Sequence, residues 1–390
     1  MKRLSLIGLF VMIMGVSYGQ QIDSVANNTN KVLIRGYGEV HYNLPFSSNK
    51  RYNGSLDVHR MVMMFGYSFS RRTSFMTEIE YEHVKELFVE QAYLQHRLSS
   101  NFSLIGGLIL VPMGFINEYH EPTVFNGVER PLIDNNISPS TWREIAFGFK
   151  GNSIPLSLNY QLYIVNGFRS YSTEGLLNGK SGFRSGRQRG AEAIASSPNF
   201  AGRVHYYGIN GLQLGVSGYY GKTQSPLYNG IDKNDDAALA KADSSVVGLA
   251  MVGFDAQYDY AGLELRSQLY LSSISNSNEY NLFTAKSRVP NDLGASMYGY
   301  YVEAAYNILR PFSGTKYQLL PFARFEKYDT HWSVGNVTAK NDVYNVTAIT
   351  AGLTLRLAKG AVVKTDIQLT KPKSADEFSK VLNFGIGVSF

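Results

Sequence analysis

The 390-residue sequence contains no cysteine. That excludes disulfides as a source of stability, and it excludes a lipid-anchored lipoprotein. Beyond the N-terminal segment there is no apolar run long enough for a spanning helix. The longest mostly apolar stretch, Leu104 to Ile116, is broken by Gly106, Gly107, Pro112 and Gly114. No Pro- or Ser-rich linker and no shift of composition divides the chain, so it reads as one large closed unit. Catalytic signatures are missing too: there is no Gly-x-Ser-x-Gly elbow, no HxxxH helix and no phosphate-cradling glycine motif. The seven histidines (His41, His59, His83, His96, His120, His205 and His331) are scattered along the sequence. The expectation is therefore no catalytic residue, no resident metal and no cofactor. The net charge of +6 is too small to argue for nucleic acid as a partner.

The N-terminus carries a recognisable signal. Met1-Lys2-Arg3 is basic, Leu4 to Val16 is apolar, and Ser17-Tyr18-Gly19 supplies small residues before Gln20. This predicts a secretory signal peptide over 1–19, then a short periplasmic segment over 20–31 and a single domain over 32–390. At the other end, Leu382, Phe384, Ile386, Val388 and Phe390 alternate with Asn383, Gly385, Gly387 and Ser389. One face suits lipid and the other water, the period of a transmembrane β-strand. A mean hydropathy of −0.16 is what such alternation averages to. The 27 tyrosines against 2 tryptophans fit strands with amphipathic rings at headgroup depth.

Sixteen alternating segments follow the leader: 32–43, 56–69, 73–84, 86–97, 102–111, 141–151, 154–165, 200–208, 211–222, 244–260, 262–274, 297–309, 317–328, 344–357, 360–370 and 381–390. Apart from the single residue at Lys85 and the medium turn Arg310–Lys316, their connections alternate short and long, as in outer-membrane barrels with tight periplasmic turns and long external loops. Leu263, Leu265, Leu269 and Leu271 alternate with Glu264, Arg266, Gln268 and Tyr270. Val363, Ile367 and Leu369 alternate with Lys364, Asp366 and Gln368. The charged faces must meet a wet lumen, because lipid penalises a charge by roughly 2–4 kcal/mol at the midplane. Met61, Met63, Phe65, Tyr67 and Phe69 form an apolar stripe for lipid or a subunit interface. The predicted fold is all-β: a transmembrane antiparallel barrel of sixteen strands in the bacterial outer membrane.

Sixteen strands enclose more space than their own side chains fill. The third long loop, Pro112–Ser140, is too apolar to sit in solvent, since Phe115, Ile116, Val124, Phe125, Leu132 and Ile133 need cover. It is predicted to fold into the lumen, with Glu118, Glu121, Glu129, Arg130 and Asp134 at a constriction; the alternative is an outside cap packed on neighbouring loops or a partner subunit. The order of parts, this loop, the Thr141-Trp142-Arg143-Glu144 strand start and the final Phe390 resemble the phosphate-selective porin family in its Bacteroidetes-type form. The resemblance covers nearly the whole mature chain. It implies a homotrimeric porin in contact with outer-membrane lipid and lipopolysaccharide, passing small hydrophilic or anionic solutes. Phosphate-selective members carry a ladder of arginines and a ring of lysines; the candidates to face the lumen here are Arg35, Arg60, Arg143, Arg203, Arg266, Arg324, Arg356 and Lys364. Glu39, Glu78, Glu80, Glu82, Glu264, Glu326 and Asp366 dilute them, and no ring of lysines stands out.

Other constellations remain open at this level. Glu78, Glu80 and Glu82 share one strand face beside His83, as a cation site or as a solvated wall opposite arginines. The fourth long loop holds Arg169, Lys180, Arg184, Arg187 and Arg189, which suit steering of anions, contact with lipopolysaccharide phosphates, or a solvated mobile loop. Tyr163 and Tyr270 offer stacking surfaces for sugars. A receptor or adhesin whose lumen is shut is the alternative from a different class.

Overall fold

A computed structural model describes residues 31–312 and 314–390 of the chain. The expected signal peptide over 1–19, and all but the last residue of the 20–31 segment, lie outside the described residues. Sixteen strands form one closed antiparallel barrel. They are β1 (Val32–Phe46), β2 (Ser55–Ser68), β3 (Thr73–Glu82), β4 (Glu86–Ser99), β5 (Phe102–Leu110), β6 (Arg143–Ser153), β7 (Leu158–Val165) and β8 (Asn199–Ile209). The second half comprises β9 (Leu212–Lys222), β10 (Gly248–Tyr260), β11 (Leu263–Ser275), β12 (Ser296–Tyr306), β13 (Gln318–Ser333), β14 (Asn345–Ala358), β15 (Ala361–Pro372) and β16 (Ser379–Ser389). Each strand pairs with its sequence neighbours, and β16 pairs with β1 to close the seam. Phe390 finishes that seam by exchanging two backbone hydrogen bonds with Gly36, at 2.9 and 3.1 Å. Closure leaves no open sheet edge, which a bilayer would not tolerate.

The period-two pattern resolves into the two faces expected. Phe384, Ile386 and Val388 point outward and are 46, 56 and 44 % exposed. Met61, Tyr67 and Phe69 are exposed on the same outer surface, while Arg60, Lys364 and Asp366 on the alternate positions are buried inside. One predicted turn moves. β6 continues through Asn152 and Ser153, and the reversal falls at 154–157. Pro155 has no N–H to give the ladder, and Ser157 takes a positive φ of 52°, so pairing with β7 resumes only at Leu158.

The largest departure from a plain cylinder is on the inside. The third long loop, L3 (residues 111–142), enters the lumen. Two short helices, α1 (Gly114–Glu118) and α2 (Ile133–Asn136), lie within it. Val111, Met113, Ile116, Ile133 and Ile137 have no exposed surface. The fourth loop packs above L3: Trp142 stacks on Phe168 with ring centroids 4.5 Å apart, and Phe168 on Phe183 at 5.5 Å. Part of the barrel interior is thus an ordinary apolar core built from loops. Several tyrosines serve this core rather than the headgroup level, among them Tyr93, Tyr163, Tyr219, Tyr270 and Tyr301, all buried.

Candidate functional site

Several of the wall charges expected to line a pore hold L3. Arg60 Nη2 donates to His120 O at 2.6 Å, and Lys364 Nζ to Phe125 O at 2.8 Å. Arg324 reaches Asn126 O and Glu129 O at 3.4 and 3.0 Å. Carboxylates take the loop's amides: Asp366 accepts from Val128 N at 2.7 Å, and Glu326 from Leu132 N at 2.5 Å. Gln268 accepts from Phe115 N at 2.9 Å, and its Nε2 donates to both Asp134 oxygens. Arg203 binds Glu118 at 2.6 Å and Asp255 at 2.7 Å. These anchors come from β2, β8, β11, β13 and β15, so the loop is tied to the wall around much of the circumference. A buried backbone stretch of this length needs such partners for its N–H and C=O groups, and a charged wall supplies them.

Small residues let the loop approach. Gly114 adopts φ 68°, and a Cβ there would sit 1.9 Å from the Tyr270 hydroxyl oxygen. On β16, a Cβ at Gly387 would stand 2.6 Å from Pro122, so the small lumen-facing position gives L3 its clearance. Asn117 pins the loop's ends, accepting from Trp142 N at 2.8 Å and donating to Val111 O at 2.7 Å. Glu129 meets His41 at 3.2 Å and Asn43 at 3.0 Å. Burial alone would raise this carboxyl, but the contact with His41 and its charge, together with the Asn43 hydrogen bond, outweigh it and hold Glu129 at about 2.

On the turn side of L3 lies a cavity of about 830 Å³. Its floor is Phe115, Glu118, Tyr119, Glu121, Thr123 and Val124 of the loop. Its walls carry Arg35, Arg97, Lys150, Arg266, Lys316, Arg356 and Lys359, which outnumber Asp259 and Glu264. Arg266 bonds to Glu264 at 3.1 Å, and Arg356 Nη2 bonds to Glu264 at 3.0 Å, keeping both guanidiniums at the wall. The predicted ladder therefore splits into two groups. Arg35, Arg266 and Arg356 face this vestibule, whereas Arg60, Arg143, Arg324 and Lys364 are buried against L3 and wall carboxylates. Arg203 does both, as an anchor of Glu118 that also borders the cavity.

The remaining predicted residues are placed as follows. Glu78 and Glu80 are buried: Glu78 accepts from Gln91 at 2.6 Å, and Glu80 lies 3.9 Å from Arg60 and 4.0 Å from Arg143. Glu121 borders the vestibule, and Arg130 reaches Ser140 Oγ at 3.4 Å. Tyr270 is fully buried with its hydroxyl on Asp134 at 3.0 Å, so it offers no surface for a sugar. The fourth loop is not a free solvated strand. Arg184 and Arg187 both donate to Ser140 O, at 2.7 and 2.8 Å. Burial, and then the neighbouring guanidiniums, lowers the Arg187 pKa.

Sequence reasoning missed Glu90, which has no exposed surface and receives His120 Nε2 and Tyr37 OH, both at 3.3 Å. The reason is a β-bulge. The β3–β4 register shifts after Glu78, so Glu90 and Gln91 both turn inward. A second bulge, between β1 and β2, brings His59 inside beside Arg60. Strict alternation would have put one of each pair in lipid. Proximity of a polar residue to a carboxylate-rich strand was the available signal, and it does not specify a bulge.

The class of protein follows from fold and site: a sixteen-stranded barrel of the outer-membrane type, lipid-facing outside, with a charged lumen crossed by its third loop. Solved structures share that architecture. The outer-membrane channel DcaP of Acinetobacter baumannii superposes with a TM-score of 0.61 at 10% identity, over 93% of this chain and 98% of that one. OmpF of Salmonella typhi, solved in complex with daunomycin, gives 0.60 at 11% identity over 93 and 98%. An anion-selective porin from Comamonas acidovorans gives 0.57 at 12% identity over 93 and 100%. At such identities the likeness is one of fold. No family model matches the chain. An uncharacterized protein of Aquifex aeolicus (strain VF5) is 34% identical over 316 residues, 78% of this chain and 67% of the relative. The chain belongs to the family of that protein.

Proposed function

We propose that the chain is an outer-membrane porin through which small hydrophilic solutes cross passively, with a preference for anions. The observation that carries this reading is the basic vestibule on the turn side, open to solvent and floored by L3. Cations concentrated in a low-dielectric cleft raise the local concentration of anions and select by charge. L3 sets the size limit, and Arg35, Arg266 and Arg356 set the charge preference. The reading includes no catalysis. It takes the chain as a homotrimer seated in lipid and lipopolysaccharide, of the same general kind as the phosphate-selective porins, and phosphate is one candidate solute.

A second reading has its own observation. L3 and the fourth loop bury much of the lumen core, which favours a barrel that is shut at rest and presents its external loops to a partner. Planar-bilayer recording separates the two. A porin gives discrete conductance steps and a reversal potential in a salt gradient on the anion-selective side. Replacing Arg266 and Arg356 together by Ala moves that potential toward cation selectivity. Absence of any steps from folded protein sinks the channel reading. Steps whose selectivity ignores the double substitution sink the vestibule assignment.

A further inference from the structure

Three of the histidines that the sequence scatters meet at the outer mouth of the barrel, across L3 from the vestibule. They come from β1 (His41), β2 (His59) and the β3–β4 turn (His83). The β2 bulge turns Asp57 and His59 inward together. A backbone hydrogen bond from His83 N to His59 O, 3.1 Å long, keeps those two residues side by side. Their rings then converge on one oxygen. Asp57 Oδ2 lies 2.5 Å from His83 Nδ1 and 3.6 Å from His59 Nδ1. The three ligating atoms all lie within 4.8 Å of one another.

We propose that Asp57, His59 and His83 bind a divalent transition-metal ion of the zinc class. Two imidazole nitrogens and one carboxylate oxygen suit zinc, nickel or copper better than calcium or magnesium, which prefer all-oxygen shells. Bonds of about 2.0–2.2 Å would seat the ion between these atoms once the Asp57–His83 hydrogen bond yields. The proton held in that bond leaves to solvent as the metal enters. The rings are already oriented: His59 stacks on His41 with centroids 4.6 Å apart and planes 10° from parallel, and meets His83 edge-on at 5.3 Å. The Glu82 carboxylate lies 4.0 Å from the remote nitrogen of His83, beside the site. His83 keeps 46% of its side chain exposed and His59 30%, so an ion has a path in and water can fill a fourth position. His41 is not a ligand, because Glu39 and Glu129 take its two nitrogens.

The second cluster of this kind among the described residues, Glu78, Glu90 and His120, is buried and already partnered: Arg143 lies 3.7 Å from Glu90, and Gln91 donates to Glu78. It carries no proposal.

The test is zinc titration of the untagged full chain, folded in detergent, by calorimetry with a competing chelator. One zinc per chain is expected, with affinity falling on acidification as the imidazoles take protons. The double variant His59→Ala/His83→Ala should bind at least about tenfold more weakly, while His96→Ala and His205→Ala bind as the native chain does. Cobalt in place of zinc should give visible absorption bands that vanish in Asp57→Asn. That single, nearly isosteric variant decides the matter if the double variant does not fold. Zinc affinity unchanged in the double variant, or cobalt bands unchanged in Asp57→Asn, overturns the proposal.

Discussion

Asp134 offers a way to measure how firmly L3 is held. It sits in α2 with no exposed surface, accepting from both Gln268 Nε2 and the Tyr270 hydroxyl. Burial raises its carboxyl, the Tyr270 and Gln268 hydrogen bonds oppose that, and the Glu326 charge adds to it; the balance stands at about 7. In a released, solvated loop the same group titrates near 3.8. Between those values the docked state binds more protons than the released one, so docking weakens as pH rises. The penalty is absent below about pH 4 and complete above about pH 7, and amounts to roughly 4 kcal/mol. That is up to about a thousandfold in the docking equilibrium. Hydrogen exchange of the amides of residues 132–138, corrected for intrinsic rates, should show protection falling across this window. Asp134→Asn cannot ionise and should lose that component, with the difference between the two proteins isolating Asp134 from other titrating groups. Identical slopes in the native and Asp134→Asn proteins would refute the reasoning.

Two further outcomes test the loop directly. The Thr123 and Ser389 hydroxyls are 3.1 Å apart, and the chain has no cysteine of its own. Thr123→Cys with Ser389→Cys should therefore oxidise to a single intramolecular disulfide, seen as no titratable thiol in folded protein; two free thiols would place L3 elsewhere. Gly114→Ala must carry a side chain at positive φ against Tyr270. It should loosen α1 by at least about 1–2 kcal/mol, raising exchange in that helix and the noise of any conductance steps, while the barrel itself still forms.

Much of the architecture was legible because a bilayer imposes a short rule on every strand. Leu263, Leu265 and Leu269 must meet lipid and Glu264, Arg266 and Gln268 must not, so alternation alone assigned the faces and, with the turn rhythm, the strand number. The apolar content of Pro112–Ser140 likewise required cover, which the lumen supplies, although neighbouring loops or a partner subunit would have satisfied the same requirement. What each lumen charge does was not legible. Arg266 and Lys364 carry the same signature of a charge in an apolar alternation, yet one borders the vestibule and the other holds Phe125 O. The difference lies in depth and in which loop residue crosses above, and neither is local to the strand.

The sequence by itself determined a closed sixteen-strand cylinder with a wet, charged interior and a third loop in need of cover, because hydrophobic periodicity and backbone satisfaction in lipid leave few alternatives. Tertiary structure alone decided that Arg60, Arg203, Arg324 and Lys364 anchor L3, that two β-bulges turn Glu90 and His59 inward, and that His59 and His83 share Asp57. Those outcomes depend on register across strands and on contacts between residues tens to hundreds of positions apart, where a one-residue shift sends a side chain to the opposite face.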